Sequence, residues 1–296
     1  MKIEAAVVFY KPTPEIANNI NSYIDDVDKV YVIDNTPNED NSSILPKNKK
    51  IKYICNKKNL GIAEALNIGA KNAIESGAEW LLTMDQDSTF HKGDVLKMKS
   101  LLIKLKNDKK TYNSYPYDKI GILSPFHVIE QTKGEVHEGI EEKLIVMTSG
   151  NLINLDAYKK INGFKSWMFI DCVDFDYCLN LVKNGYKVYQ YNEIKLIHNL
   201  GETKKKKFFN KIVFVSNHNA NRRYYIARNR KYIYDLYNDF FPDYCKAEVS
   251  ITKKDVIKIL MYEKHKFKKI KAILEGLHDY RKGYVGERGS KEKSTN

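Results

Sequence analysis

Four short apolar runs in the first 90 residues, three of them closed by a polar or acidic residue and the first by Lys11-Pro12, constrain this chain more than any other feature. They are "IEAAVVF" (3–9), "KVYVIDN" (29–35), "KIKYICN" (50–56) and "EWLLTMD" (79–85). Short, near-continuous apolar runs bounded by turn formers read as buried strands. Between the third and the fourth, "GIAEALNIGAKNAIESG" places apolar residues at 62, 65, 66, 69, 70, 73 and 74. That spacing predicts a helix, closed by Gly77. After the first run, Thr13 is expected to cap a helix over "PEIANNINSYI", with Pro14 at its first position. The order β-α-β-β-α-β, with polar residues at the strand ends, predicts an α/β sheet that binds ligands outside its carboxyl edge.

Farther along, "DVLKMKSLLIKLK" reads as an amphipathic helix, and "KIGILSPF" and "KLIVMTSGNLINL" read as strands. "DAYKKINGF" begins a short helix with Asp156 as its expected cap, and "DFDYCLNLVKNGY" is a helix ending at Gly185. "KVYQYNEIKLIHN" is a long strand or a strand pair. Beyond about residue 205 the chain turns basic and helical in period. The reading is therefore an α/β domain over 1–204 and a mainly helical basic region over 205–296.

A hydrophobic content of 43% with 29% charged residues suits a globular chain with a sizeable core. No run approaches the ~18 apolar residues of a membrane span, and the N-terminus lacks a signal-peptide layout. A cytoplasmic protein is expected. Cys55, Cys172, Cys178 and Cys245 form no C-x-x-C pair and fit reduced core thiols.

Several residues suggest chemistry. Asp85 and Asp87 flank Gln86 just after an apolar strand. In an extended strand end, residues i and i+2 point the same way. Two carboxylates there suit Mg²⁺ or Mn²⁺ with positions left open for a diphosphate; the plainer reading is a solvated loop. Asp34 could accept hydrogen bonds from a base or ribose, or serve only as a turn residue. Gly61, just after Asn59 and Leu60, would allow close backbone approach at a helix N-terminus that favours anions; the plainer reading of Asn59 is an ordinary cap. "MFIDCVDFDYCLN" (168–180) carries Asp171, Asp174 and Asp176. One or two of these can cap the following helix, and a partly desolvated third could take a proton from a hydroxyl. His198 ends an apolar strand, where it is either structural or part of a metal or phosphate site.

Seven segments follow in the order found in family 2 glycosyltransferases. They are "AAVVFYKP", "VYVIDNTP", "NLGIAEALNIGAKNA", "LLTMDQDS", "TSGNLIN", "FIDCVDFDYCLNLVKNGY" and "LIHNLG". The chain resembles the bacterial rhamnosyltransferase-like branch, and "RRYYIARNRKYI" (222–233) resembles the segment that follows the catalytic domain there. The resemblance spans roughly residues 3–235. It implies a GT-A fold, with a central mixed sheet flanked by helices, and inverting transfer from a nucleotide-diphosphate sugar. It places Asp34, Asn59 and Gly61 in the nucleotide pocket, and Asp85 and Asp87 at ribose and metal-bound diphosphate. It places Asp174 at the general base and His198 near the metal or diphosphate. Where the family usually has Glu-Asp, this chain has Val173-Asp174, which leaves Asp171 as a rival base; Asn180 stands where an Arg is common.

The expected donor is dTDP-rhamnose, with a UDP-hexose or UDP-galactofuranose as the alternative. The acceptor is a glycan or lipid-linked saccharide of a bacterial surface polysaccharide. The net charge of +13 admits nucleic acid, an anionic membrane face or an anionic substrate as partner. Nucleic acid ranks last, because no nucleic-acid motif is present. In "TKKDVIKILMYEKHKFKKIKAILEGLHDY", Val256, Ile259, Leu260, Phe267, Ile270, Ile273, Leu274 and Leu277 fall near one helical stripe flanked by lysines. The stripe suits packing on the catalytic domain, an interfacial helix on anionic lipid, or a homodimer contact.

Overall fold

The computed structural model describes the chain except residues 109, 111–112, 129–136, 199–203, 209–210 and 294–296. It contains two compact units, Met1–Phe164 with Tyr177–Asn199, and Lys165–Asp176 with Leu200–Asn296.

The first unit opens with β1 (Ile3–Phe9), the short α1 (Pro14–Ala17), β2 (Lys29–Asp34), β3 (Ile51–Cys55), α2 (Gly61–Glu75) and β4 (Trp80–Asp85). The two-residue β5 (Ser88–Thr89) and α3 (Asp94–Asn107) follow, then β6 (Ile120–Val128), β7 (Ile140–Glu142), β8 (Asn151–Asn154) and α4 (Leu155–Lys160). α5 (Val173–Lys183) begins in the second unit and continues in the first, and β9 (Lys187–His198) completes the sheet. The strand order is β3-β2-β1-β4-β8-β6-β9-β5, with β7 also on β9. β3, β2, β1 and β4 run parallel, and β8 pairs antiparallel with both β4 and β6, so the sheet is mixed as expected.

Period-two alternation sends the two faces of β1 to different helices. Ile3, Ala5 and Val7 join Val30, Val32, Leu82 and Met84 in a core with Val95, Met98, Leu102 and Leu105 of α3. The opposite face meets α2 through its small residues. A Cβ at Gly69 would lie 2.4 Å from the Ala6 Cβ, so glycine there sets how closely α2 can lie on β1. Burial on both faces explains why these strands read as unbroken apolar runs.

Three local expectations change. The helix after β1 stops at Ala17 and continues as 3₁₀ turns over Asn18–Ser22. Asn and Ser side chains there take backbone partners: the Ser22 hydroxyl donates to the Asn19 carbonyl (2.7 Å) and the Asn19 amide to the Gln86 carbonyl (2.9 Å). Only Asn151–Asn154 of "KLIVMTSGNLINL" is strand. The cap of α4 is Asn154, whose side chain accepts from the Asp156 and Ala157 N–H groups at 2.9 and 3.1 Å; Asp156 lies in the first turn. Thr13 does cap α1, accepting from the Ile16 N–H at 3.4 Å.

The second unit contains the hairpin β10 (Lys204–Phe208) and β11 (Lys211–Val215), then α6 (Ala220–Tyr237), α7 (Pro242–Tyr262) and α8 (Lys266–Arg281). α8 lies so close to α6 that a Cβ at Gly276 would be 2.4 Å from the Tyr224 carbonyl oxygen. The segment expected as one lysine-flanked stripe is therefore two helices, broken at Glu263-Lys264-His265, with His265 at φ +55°. Buried Glu263 anchors the break, pairing with Arg223 at 2.6 Å and Lys269 at 2.7 Å. Lys269 thus belongs to the interior rather than to a solvated flank. The apolar residues divide as well. Ile259 and Ile273 are buried with Ala227, whereas Leu260 (51%), Phe267 (91%) and Leu274 (62%) are exposed. Among the described residues no helix is long and apolar enough to cross a membrane. All four cysteines are free thiols, three of them buried.

Candidate functional site

β1 lies between β2 and β4, so the chain order reverses beside it, the position at whose carboxyl edge open α/β sheets characteristically bind ligands. Asp34 pairs in register with Phe9 and Asp85 with Val8, which places both acids at that edge on either side of β1. Two strand spacings separate their backbones by about 10 Å.

Asp34 is fully buried, at 0% exposure. One of its oxygens accepts from the Thr36 N–H (2.8 Å), the other from the Asn41 amide (2.8 Å) and the Tyr53 hydroxyl (2.7 Å). Burial pushes this carboxyl up, but the bonds from Thr36, Asn41 and Tyr53 outweigh it and hold the group below its usual range. Asp34 therefore stays ionised and organises the turn after β2. To meet a base, it must use remaining lone-pair capacity or exchange a partner.

Asn59 and Gly61 meet that turn. The Asn59 side chain accepts from the Gly61 N–H at 2.9 Å, and the Gly61 carbonyl accepts from the Asn35 amide at 2.9 Å. Gly61 sits at φ +81°, a conformation that side chains disfavour, and opens the 15-residue α2. The first-turn N–H groups of α2 thus stand at the same edge as Asp34.

Asp85 ends β4 and the chain turns at Gln86–Asp87, so the same-side argument made for an extended chain does not apply. Gln86 is the cause. Its side-chain oxygen accepts from the Tyr10 N–H (2.8 Å) and its amide donates to the Tyr10 carbonyl (3.2 Å), which continues the β1–β4 ladder with a side chain. The "TSGN" segment supports the turn from behind. The Ser149 hydroxyl accepts from the Asp85 N–H at 3.0 Å and donates to the Ser88 hydroxyl at 2.8 Å. The ring of buried His127 donates from Nε2 to the Ser149 carbonyl at 2.6 Å. Gly150 is at φ +82°, where a Cβ would also meet Leu196 and Pro125 within 3 Å. Gln86, Ser149 and Gly150 escaped the sequence reading. For Ser149 and Gly150 the signal was the unusual "TSGN" run, taken there for strand; for Gln86 it was an amide side chain between the two acids.

Asp85 and Asp87 are half-buried. Among the described residues no three metal-ligating side chains cluster. A pair of carboxylates nonetheless fits Mg²⁺ or Mn²⁺, which bind through one or two carboxylates and complete their shell with phosphate oxygens and water. The backbone of His198 pairs directly with Ser88, one residue past Asp87. The His198 side chain lies outside the described residues.

Asp171, Asp174 and Asp176 lie in the second unit, where the structure separates their surroundings. Asp176 is fully buried, accepts from the Tyr237 hydroxyl (2.6 Å) and pairs with Lys165 (3.1 Å). Burial raises its pKa against the pull of Lys165 and Tyr237. It is thus the desolvated acid of the three, but it faces the interior. Asp171 takes a two-pronged bond from Arg222, whose Nε lies 3.1 Å from Oδ1 and 3.3 Å from Oδ2. Asp174, half-buried in the first turn of α5, accepts from the Phe175 N–H at 3.0 Å. Asn180 donates to the Ile161 carbonyl at 3.1 Å.

Comparison with known proteins agrees with this architecture. The profile described as Glycosyl transferase family 2 matches residues 5–119. The dTDP-rhamnosyl transferase RfbF of Shigella flexneri is 28% identical over 244 residues, covering 77% of this chain and 78% of that protein. Residues 1–349 of S. aureus TarS, solved with UDP-GlcNAc, superpose with a TM-score of 0.54 at 13% identity, over 95% of this chain and 80% of that one. GalNAc-T7, solved with UDP, GalNAc and Mn²⁺, gives a TM-score of 0.52 at 12% identity over 67% of this chain. This chain spans only 44% of GalNAc-T7 and 48% of the longer TarS structure, so these likenesses speak for the fold. The matched profile, the RfbF similarity and the mixed sheet converge: residues 5–119 are similar to the family 2 glycosyltransferases, and the chain has a GT-A-like fold with a C-terminal helical region.

Proposed function

We propose that the chain transfers a hexosyl group from a pyrimidine nucleoside-diphosphate sugar to a hydroxyl of a saccharide or lipid-linked saccharide, with inversion. The observation that carries this reading is the carboxylate pair, Asp85 and Asp87, held by Gln86 and Ser149 at the β1/β4 switch point. Asp34, Asn59 and Gly61 line the nucleotide side, and Asp87, Asp85 and His198 would hold Mg²⁺ or Mn²⁺. When bound, that ion neutralises charge on the diphosphate leaving group.

Asp174 is the general base. It takes the proton of the acceptor hydroxyl as the oxygen attacks the anomeric carbon, while the bond to the diphosphate breaks on the opposite face. Inversion needs one such carboxylate and no glycosyl-enzyme intermediate. Asp171 suits the task less, because the Arg222 guanidinium already occupies its carboxylate.

Two donors compete. A UDP-hexose accords with the UDP and UDP-GlcNAc held by the superposable enzymes, whereas dTDP-rhamnose rests on a single relative at 28% identity. The nucleotides differ at the base methyl and the ribose 2′-hydroxyl, so a thermal-shift comparison of UDP with dTDP, each with Mn²⁺, decides between them. Asp87→Ala should abolish the Mn²⁺-dependent shift and the transfer. Asp174→Asn should lower turnover by about 10²-fold with nucleotide binding retained. Full transfer in EDTA would overturn the metal assignment.

The second unit also offers contact to anionic lipid. Ile257, Leu260, Met261, Phe267 and Leu274 are exposed on α7 and α8 in a lysine-rich stretch. Co-sedimentation with anionic vesicles that weakens with salt supports this contact, and recovery of all protein in the supernatant at low salt removes it.

A further inference from the structure

The backbone from Phe169 to Cys172 is the most strained stretch of the described chain. Phe169, Asp171 and Cys172 have φ of +67°, +62° and +62°, and no other described stretch gathers three such non-glycine residues. Phe169, with ψ −69°, centres a γ-turn of the rare strained hand, closed by the Ile170 N–H on the Met168 carbonyl at 2.8 Å. Such conformations persist only where the surroundings over-determine them, and they concentrate at functional sites.

The surroundings are two adjacent residues of α6. The Asn229 amide donates to the carbonyls of Met168, Ile170 and Asp171, each at 2.9 Å. Arg228 donates to the carbonyls of Trp167 (3.3 Å), Met168 (3.2 Å) and Gly286 (2.8 Å), and its Nε donates to the Asn229 side-chain oxygen (3.0 Å). Its guanidinium lies over the rings of Tyr224 and Tyr225, and the Phe169 ring stacks on Tyr225 at 5.2 Å. Both residues have 0% exposure, and no described carboxylate pairs with Arg228. A buried guanidinium without a counter-ion is costly, and an apolar side chain would fill the same space more cheaply. Two of its four bonds go to this loop, and a third braces Asn229, which holds the same loop. From the clamped Asp171 carbonyl to Asp174 the chain has no slack, because α5 begins at Val173.

We infer that Arg228 and Asn229 are positioning residues for the transfer reaction: they hold the strained loop 167–172 and, through it, set the placement of Asp174. This rests on the reading of Asp174 as base. It makes α6 part of the catalytic apparatus rather than an appendage.

The two tryptophans, Trp80 in the first unit and Trp167 in the clamped loop, provide the test. Trp167 packs edge-on against Tyr232, so its fluorine resonance in 5-fluorotryptophan-labelled protein reports the loop. Asn229→Ala should shift or split the Trp167 resonance, leave Trp80 in place and lower kcat about tenfold or more. The Kd for UDP with Mn²⁺, or for dTDP if that binds better, should stay within twofold. A kcat within twofold of wild type, or a loss of kcat with Trp167 unmoved, overturns the inference. If both resonances move, the fold is perturbed, and Arg228→Lys, which keeps the buried charge but loses the fork, decides by the same criteria. Asp174→Asn separates the layers. Full turnover there refutes the base assignment, whereas an inactive Asp174→Asn beside a fully active Asn229→Ala refutes only the positioning role.

Discussion

The two units are held together by different forces. The first is an apolar sandwich, with alternating strand residues packed against α3 on one face and α2 on the other. In the second, the apolar clusters are small, and buried charges make many of the connections. Arg223, Glu263 and Lys269 are linked through Asp255, which pairs with both Arg223 and Arg230, to Arg230 and Glu248. The contrast teaches where precision comes from. Apolar burial is non-directional and sets layers, while charged forks and amides fix particular atoms. The carboxyl edge with Asp34 and Asp85 stands on the layered unit, and the strained acidic loop is held by the directional one.

Substitutions can break this contrast, and the largest effect belongs to the ionic unit. Glu263→Ala leaves Lys269 buried without its carboxylate and Arg223 with Asp255 alone, at a cost of about 3–5 kcal/mol. Calorimetry should show the second unit melting first, with Mn²⁺-dependent nucleotide binding kept; one undivided transition at the wild-type temperature would contradict an ionic core. Leu82→Ala, at a fully buried site of the layered unit, should cost about 2–5 kcal/mol and lower nucleotide binding and stability together.

A smaller effect comes from pH. Burial, then the cations Arg222, Arg223, Lys269 and Arg230, hold the His218 pKa down to about 3. The unfolded chain binds a proton at this residue below about pH 6.5, and the folded protein does not. Stability from this group is therefore complete above pH 6.5 and falls as pH drops toward 3. Between pH 7 and 5 the loss should be roughly 1–2 kcal/mol. In His218→Asn this part of the slope should vanish; an unchanged slope would place the titration elsewhere. The smallest test concerns a helix end. Asn154→Ala should cost about 1 kcal/mol and Asp156→Ala only a few tenths, because Asn154 is the cap of α4. Equal losses in urea titrations would return the cap to Asp156.

Legibility followed the same division. Strands β1 to β4 and helix α2 stood out because burial on both faces writes an unbroken apolar run and a helix writes a 3.6-residue period. The acids at the carboxyl edge were readable as strand ends. The turn at Gln86–Asp87 was not, because its cause is the Gln86 amide joined to Tyr10, 76 positions away in the chain. The break between α7 and α8 was hidden for a similar reason. Its local pattern continues a helix, and the anchor is Arg223, 40 positions from Glu263.

By itself, the sequence determined the alternation of strands and helices, and which acidic residues close the strands at the carboxyl edge. Those features follow from burial and periodicity, which act on neighbours in the chain. Tertiary structure alone decided which acid is buried against Lys165, which is engaged by Arg222, and that Asn229 holds the strained backbone ahead of Asp174. Hydrogen bonds and ion pairs are short and directional, and their partners come from segments that only folding brings within reach.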